Sequence, residues 1–192
     1  PEELAGLDMV ILPGTKNTIG DLRWLWETGL AEAVQRMAAR VPLFGICGGY
    51  QMLGRMVSDP DSVEEGGSLK GLGLLPGETV LKRQKNRQQV EGRLTLRTGI
   101  LGTPEDTEYR GYEIHMGETR NEGGEALTCR ADGEANGIQQ GNVYGTYVHG
   151  IFDTGNVAEQ ICQTYGTKMV AVTLRRSISA SDNEWSAMLY TG

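Results

Sequence analysis

Cysteine and histidine are rare in this chain, with three cysteines and two histidines among 192 residues. The cysteines are Cys47, Cys129 and Cys162, and their odd number and wide spacing disfavour both a disulfide framework and a zinc site. A chain without disulfides fits a reducing compartment, so we expect a cytoplasmic protein that holds no metal. Cys129 lies in a polar segment and Cys162 in an apolar helical pattern, and we interpret both as structural or incidental.

Apolar runs are short as well. None approaches the ~18 residues that a membrane helix needs, and the acidic start Pro1-Glu2-Glu3 is unlike a signal peptide. The formal net charge of -7 argues against a nucleic-acid-binding protein. With 39% hydrophobic and 22% charged residues, the sequence predicts one soluble globular domain over residues 1–192. Because the first residue is not methionine, we expect a fragment that lacks an upstream domain.

Strands and helices alternate in the first half of the sequence. Apolar runs predict buried strands at 8–12 and 43–46, and helical spacing predicts helices over 19–39 and 50–57. This alternation implies an α/β fold with parallel strands. The second half predicts short strands at 72–75, 92–96, 109–115, 143–148 and 170–174, a helix over 156–165, and loops over 58–68 and 119–137.

The most informative segment is residues 42–54, PLFGICGGYQMLG. An apolar strand stops at Cys47, two glycines follow, and a helical pattern begins, which is the layout of a nucleophile elbow. A thiol at the N-terminus of a helix lies at the positive end of the helix dipole, so we expect the thiolate to be favoured. The alternative is that Cys47 is a small buried residue in an ordinary strand-to-helix turn.

A cysteine nucleophile needs a base, and the two histidines are His115 and His149. His149 ends an apolar run, so we expect it at the same sheet edge as Cys47; a structural turn histidine is the alternative. An oxyanion would be stabilised by the backbone N–H of Gly48 and by the loop containing Gly14, which follows the neighbouring strand. For that loop the alternative is an ordinary strand-to-helix turn.

The segment Gly45–Gln51 resembles the nucleophile motif of class I (triad-type) glutamine amidotransferase domains. Four further blocks follow the order of the C-terminal glutaminase domain of cobyric acid synthases and resemble it: LPGTKNT at 12–18, GLGLLP at 71–76, GYEIHMG at 111–117 and GTYVHGIFD at 145–153. The resemblance implies a class I glutamine amidotransferase-like fold, which is a flavodoxin-like mixed, mostly parallel sheet flanked by helices.

The resemblance also implies the chemistry. Cys47 would attack the side-chain amide of glutamine, and His149 would protonate the leaving ammonia and then activate water. Gly48 and Gly14 would line the oxyanion hole. Matches to the family's motifs further imply that Gln51 helps to hold the glutamine, with less certain roles near the glutamine pocket for Tyr112, Glu113 and His115.

Family proteins pass the ammonia to an N-terminal synthetase domain that amidates corrinoid carboxylates with ATP during cobalamin biosynthesis. This sequence has no Walker-type phosphate-binding motif. We therefore expect no cofactor in this chain and assign ATP and magnesium to the missing synthetase domain. The expected partners are glutamine, that domain and, through it, the corrinoid acceptor. The basic run at 82–87 would face one of the last two, although a solvated charged strand is the favoured interpretation.

One position departs from the wider class. Triad-type enzymes usually carry a glutamate two residues after the histidine, and here that position is Ile151. The cobyric acid synthase branch is similar in lacking a standard third member, and Asp153 fits a turn or helix cap at least as well as a catalytic role. The alternatives are a sister amidotransferase (cobyrinic acid a,c-diamide synthase or the lipid II amidase subunit), a catalytically silent docking domain, or a thiol hydrolase.

Overall fold

The computed structural model describes residues 7–95, 107–152, 169–177 and 183–191. In this part of the chain the helices are α1 (Thr18–Glu27), α2 (Leu30–Ala38) and α3 (Gly48–Leu53). The strands are β1 (Val10–Leu12), β2 (Leu43–Ile46), β3 (Met56–Asp59), β4 (Gly67–Lys70), β5 (Gly77–Leu94), β6 (Glu108–Asn121), β7 (Thr128–Arg130), β8 (Ala135–Asn136), β9 (Ile138–Gln140), β10 (Val143–Thr146), β11 (Val148–His149), β12 (Met169–Ser177) and β13 (Asn183–Thr191).

A mostly parallel sheet carries the elbow. Its described strands run in the order β1-β2-β10-β9, with β2 parallel to both β1 and β10, and β9 antiparallel at one edge. The side chains of Leu43 and Phe44 on β2 are buried, as the apolar run predicts. The helices α1 and α2 follow β1, and α3 follows β2. The predicted α/β fold with parallel strands is therefore confirmed.

The helix predicted over 19–39 is two helices. The chain breaks at Gly29, whose φ of 73° lies in the left-handed region that interrupts an α-helix. The first helix begins one residue earlier than predicted, because the side chain of Asn17 accepts a hydrogen bond from the N–H of Gly20 and caps it. The helical spacing of apolar residues continues across Gly29, so the sequence pattern did not indicate the break.

The helix predicted over 50–57 starts earlier and ends earlier than expected. It covers Gly48–Leu53, and Met56–Asp59 is strand β3. The predicted strand at 72–75 is a loop instead. Its backbone N–H groups bond the carbonyls of Met52 and Leu53, so this loop satisfies the C-terminal end of α3.

A second, mainly antiparallel sheet was not anticipated from the sequence. In the described residues its main path is β11-β6-β5-β3-β4, the small strand β7 pairs with β5, and β8 pairs with β7. The predicted strand 109–115 lies within β6, and β5 ends at Leu94, inside the segment 92–96 that was predicted as a strand. Segments expected to be loops contribute strands to it as well: β4 begins within 58–68, and β7 and β8 lie within 119–137.

The chain passes between the two sheets at Tyr147. The predicted single strand 143–148 is split, because β10 ends at Thr146 in the first sheet and β11 begins at Val148 in the second. The Thr146 hydroxyl oxygen accepts a hydrogen bond from the N–H of Val148 at 3.0 Å, which is a local turn-forming contact. His149 therefore lies on β11, and the expectation that it follows directly on a strand of the parallel sheet is wrong.

The strands β12 and β13 pair antiparallel over their whole length, from Met169↔Thr191 to Ser177↔Asn183. The strand predicted at 170–174 lies within β12. The helix predicted over 156–165, together with Asp153 and Cys162, falls outside the described residues. Among the described helices, none has both the length and the apolar character needed to cross a membrane.

Candidate active site

Cys47 occupies a strained turn between β2 and α3. Its backbone has φ 53° and ψ -111°, an unusual conformation for a residue with a Cβ. The turn is fixed on both sides, because the Cys47 N–H donates to the carbonyl of Thr146 at 2.8 Å and its carbonyl accepts from Gln51 N–H at 3.0 Å. Strain of this kind at a strand-to-helix turn is what a nucleophile elbow requires.

The turn packs tightly against the loop that follows β1. The N–H of Gly49 donates to the carbonyl of Pro13 at 3.1 Å, and a Cβ at Gly49 would lie 2.0 Å from the carbonyl oxygen of Leu12. A side chain at position 49 would therefore force α3 away from β1. This close approach brings the loop at 13–15 beside Cys47, as the sequence analysis predicted.

Gly14 lies where Cys47 and His149 meet. A Cβ built on Gly14 would be 3.0 Å from Cε1 of His149 and 3.4 Å from Cβ of Cys47. The two side chains therefore surround one point, although they come from different sheets. Any side chain at position 14 would intrude between them, so glycine is needed here for space.

Burial dominates the ionisation of Cys47. Desolvation raises the pKa of its thiol to about 11; the N–H of Gly48 bonds the sulfur and lowers the pKa, and the negative charge of Glu64 raises it. The sulfur also donates to the carbonyl oxygen of Ile114 at 3.4 Å. The N–H at the start of α3 therefore favours the thiolate, as expected, but burial outweighs it and the thiol form is the more stable one.

His149 is also kept in its neutral form. Burial lowers the pKa of its imidazole, and a hydrogen bond with the carbonyl of Ile114 raises it. Two smaller contributions have opposite signs: His115 lowers the pKa and Glu113 raises it. Its Nε2 atom is buried and has no hydrogen-bond partner of normal geometry among the described residues. A buried ring nitrogen without such a partner is available to take a proton from a nearby thiol.

No carboxylate bonds to His149 within residues 7–95 and 107–152. The glutamate position of the triad enzymes is occupied by Ile151, which is buried in an apolar cluster with Phe44 and Phe152. The charge of Glu113 raises the pKa of His149, but its oxygens accept hydrogen bonds from the side-chain amides of Gln88 and Asn136.

The amide of Gln51 is fully engaged inside the protein. Its Oε1 accepts from the Thr18 hydroxyl at 3.0 Å, and its Nε2 lies 3.1 Å from the carbonyl of Met116 and 3.3 Å from the Tyr147 hydroxyl. The side chain therefore links α1, α3 and β6 directly behind the elbow. Both N–H groups of the amide are used, so a contact with glutamine would either be accepted by Oε1 or require one of the Nε2 bonds to break.

His115 and Tyr112 lie on β6 at different parts of the site. The ring of His115 stacks on Tyr147 at 3.7 Å between centroids, and its nitrogens contact the carbonyl of Gly117 and the amide of Asn86. Tyr112 stacks on His149 at 5.1 Å with an interplanar angle of 7°. Both residues border the Cys47–His149 region, and their predicted role in binding glutamine stays a prediction.

Glu64 is a site residue that sequence reasoning missed. Its carboxylate accepts hydrogen bonds from the N–H groups of Thr18 and Ile19, which open helix α1, and its charge reaches the Cys47 thiol. Burial raises the pKa of this carboxyl group, and the hydrogen bonds at the helix end oppose the increase. The segment that carries it had been expected to be a mobile loop.

Asp59 fixes the position of Glu64. The Asp59 carboxylate is buried and accepts three hydrogen bonds, from the N–H groups of Val63, Glu64 and Gly66 at 2.7–2.9 Å. Although burial opposes its ionisation, these bonds lower the pKa of Asp59. The signal in the sequence was an aspartate at the start of a short polar segment, which is a frequent way to order a turn.

Other candidates lie away from this region. The described residues contain no group of three or more histidine, cysteine, aspartate or glutamate side chains that could hold a metal ion. The residues of the basic run at 82–87 are all exposed; Lys82 pairs with Glu118, and Arg83 donates to the carbonyl of Asp61. Cys129 is half-buried on β7 and its sulfur contacts the carbonyl of Arg130.

Solved structures show the fold of this chain. A glutamine amidotransferase superposes with a TM-score of 0.58 at 20% identity, covering 86% of this chain and 83% of that one. A glutamine amidotransferase from Thermotoga maritima superposes with a TM-score of 0.51 at 14% identity, covering 86% of this chain and 64% of that one. The chain therefore has the α/β fold of class I glutamine amidotransferases.

Sequence comparison gives the family within that class. The model of the CobB/CobQ-like glutamine amidotransferase domain matches residues 1–157, and the chain belongs to this family. The cobyric acid synthase of Ruminiclostridium cellulolyticum is 46% identical over 168 residues, 83% of this chain and 33% of that protein. The cobyric acid synthase of Citrobacter koseri is 48% identical over 165 residues, which are 80% of this chain and 32% of that protein. The chain thus spans about a third of the length of these relatives.

Proposed function

We propose that this chain is a glutaminase domain in which Cys47 and His149 release ammonia from glutamine. The observation that carries the proposal is their convergence on Gly14, where both side chains lie within van der Waals reach of one point. The strained elbow at Cys47 and the available nitrogen of His149 support it. Together these features supply a nucleophile, a base and space for a reacting atom between them.

The reaction would proceed through a thioester. As the Cys47 sulfur attacks the side-chain amide carbon of glutamine, the thiol proton passes to His149, and the C–N bond then breaks as His149 protonates the departing ammonia. Next, His149 takes a proton from water, the hydroxide attacks the thioester, and glutamate leaves as the thiol is restored. The Gly48 N–H, which bonds the sulfur, would also face the oxyanion, with the loop at Gly14 on its other side.

Glu64 would recognise the amino-acid end of the substrate. Its carboxylate is an acceptor close enough to Cys47 to affect the thiol, and free glutamine carries an ammonium group a short distance from its amide. The charge of that ammonium would also offset the effect of Glu64 on the thiol. Glutamine binding would therefore favour ionisation of the nucleophile at the moment when it is needed.

The product ammonia would serve an amidation elsewhere. The named relatives are cobyric acid synthases of which the matched part of this chain covers about a third, so a synthetase region would accompany it. In that protein, ATP and magnesium would activate corrinoid carboxylates for amidation, in the cytoplasm. The exposed basic run at 82–87 lies beside His115 and gives this partner an accessible surface near the site.

Affinity labelling tests the proposal directly. The purified chain would be incubated with 6-diazo-5-oxo-norleucine, a glutamine-analogue electrophile, and the adduct located by mass spectrometry. We expect one adduct on Cys47, slowed by excess glutamine and absent in Cys47→Ala. Cys129→Ala is the matched control, because this second thiol is more exposed than Cys47 and lies in another part of the fold, and it should label like the wild type.

The outcome separates the alternatives. Labelling that glutamine does not slow would indicate a thiol hydrolase of another specificity. A Cys47 that reacts with iodoacetamide but never with the glutamine analogue, even beside a synthetase partner, would indicate a silent docking domain. A sister amidotransferase would label in the same way and differ in the acceptor that consumes the ammonia.

A further inference from the structure

Tyr112 and His149 are cross-strand neighbours. In the antiparallel pairing of β11 with β6, His149 lies opposite Tyr112 and Val148 lies opposite Glu113. The strands approach closely at Gly111, where a Cβ would be 2.3 Å from the carbonyl oxygen of His149. Side chains that are directly opposite on one face of a sheet are in contact. The pairing therefore places the tyrosine ring over the imidazole.

The two rings form a parallel stack. Their centroids are 5.1 Å apart and their planes differ by 7°. On another side of the imidazole, Cε1 of His149 faces the bare Cα of Gly14, and the carbonyl of Ile114 bonds the ring. Three contacts from β6 and the Gly14 loop thus limit the rotation of His149.

In a triad enzyme a carboxylate holds the histidine in one orientation. In this chain the position of that carboxylate is occupied by the buried Ile151. The inference rests on the proposed glutaminase function. We propose that the Tyr112 ring is a positioning residue for His149, and that this stack, with the Ile114 carbonyl, replaces the orienting carboxylate of the triad. It is the aromatic face of Tyr112 that acts, so phenylalanine will substitute for it and an aliphatic side chain will not.

The groups around His149 determine the pKa of its imidazole. Burial is the largest influence and lowers the imidazole pKa; from β6, His115 lowers it and Glu113 raises it, and Cys47 faces it from the elbow. Tyr112 covers one face of the ring while it remains 40% exposed itself. Removing its ring would admit water to the imidazole, and the pKa of His149 would rise toward its usual value.

The test compares Tyr112→Phe with Tyr112→Leu in the full chain. Labelling of Cys47 by 6-diazo-5-oxo-norleucine is measured as a maximal rate and a half-saturating concentration between pH 5 and 9. For Tyr112→Leu we expect the maximal rate to fall roughly 10- to 100-fold, a part of the ~10²–10⁴-fold contributed by acid–base groups. We also expect its acid limb to move to higher pH. Tyr112→Phe should match the wild type in both.

Several outcomes would overturn the inference. A change confined to the half-saturating concentration would assign Tyr112 to glutamine binding, and an equal loss in Tyr112→Phe would assign the effect to the hydroxyl. Wild-type behaviour in Tyr112→Leu would show that the stack has no role. A wild-type rate of Cys47 alkylation by iodoacetamide at pH 10, together with a wild-type unfolding midpoint, is the control for a folded site. If Tyr112→Leu does not fold, Tyr112→Thr is the second variant. A wild type that the analogue never labels, even beside a synthetase partner, refutes the glutaminase function itself.

Discussion

Gly14→Ala tests whether Cys47 and His149 work as a pair. The new methyl would lie 3.0 Å from Cε1 of His149, which is closer than nine in ten real Cβ contacts, and 3.4 Å from Cβ of Cys47, which is ordinary contact. The imidazole must therefore move by a few tenths of an ångström while the thiol stays in place. The substitution separates the base from the nucleophile without removing either one.

The expected loss follows from this displacement. A misplacement of about 1 Å in a catalytic group costs roughly 100-fold in rate, so a few tenths should cost about 10-fold. Gly14→Val adds two more methyl groups at the same point, and we expect a loss of at least ~100-fold. The measurement is the maximal rate of Cys47 labelling by 6-diazo-5-oxo-norleucine, with glutamate release as a second assay.

Gly133→Ala is the matched control. A Cβ at Gly133 meets no atom within 4 Å, but its φ of 87° makes any side chain strained, so this variant should lose about 1 kcal/mol of stability. It should label at the wild-type rate. A Gly14→Ala variant that labels as fast as the wild type would refute the idea that the two side chains converge at this glycine.

Three further predictions concern charge and hydrogen bonding. Alkylation of Cys47 by iodoacetamide should rise about tenfold per pH unit from pH 7 to 10, because a thiol pKa of about 11 leaves the thiol mostly neutral throughout that range. Glu64→Gln removes a charge that raises the thiol pKa, so iodoacetamide should react up to ~3-fold faster while the glutamine analogue, which carries an ammonium group, reacts more slowly. Gln51→Leu breaks three buried hydrogen bonds and should lower the free energy of unfolding by about 1–3 kcal/mol in urea titrations.

Each of these has a contradicting result. A plateau in the alkylation rate below pH 9 would show a stabilised thiolate. If Glu64→Gln changed the rates of both reagents in the same direction, this would contradict the proposal that Glu64 binds the ammonium group of glutamine. The control for Gln51→Leu is Gln84→Leu at an exposed position, which should change stability by less than about 0.5 kcal/mol, and an equal loss in both would contradict the buried network.

The elbow and its surroundings were predictable because their signals are local. Cys47 and Gly14 each follow a short apolar strand, and parallel strands bring their carboxyl ends to one edge of a sheet. The two glycines after Cys47 mark where backbones approach closely. These features depend on a few adjacent residues and on a topological rule, so the sequence alone contains them.

The second sheet was not predictable, because its pairings join distant segments through exposed strands. The middle of β5, residues 82–87, is exposed on both faces and therefore shows no alternation of apolar and polar residues. The short strand β11 has two residues, too few for any pattern, yet it carries His149. The stack on Tyr112 depends on its register with β6, which only the folded chain defines.

The ionisation of the site explains how it can work without a triad acid. Burial raises the pKa of Cys47 and lowers that of His149, so it favours the neutral form of both side chains. A thiolate–imidazolium pair in this buried place would require desolvation of two charges, which costs several kcal/mol before any attraction is counted. A carboxylate would stabilise the imidazolium and favour that pair even before substrate binds. In its place, under the proposal made above, the stacked Tyr112 would orient the imidazole without adding a charge. Proton transfer would then wait for glutamine, whose ammonium group would lie against Glu64 and whose developing oxyanion would meet the Gly48 N–H.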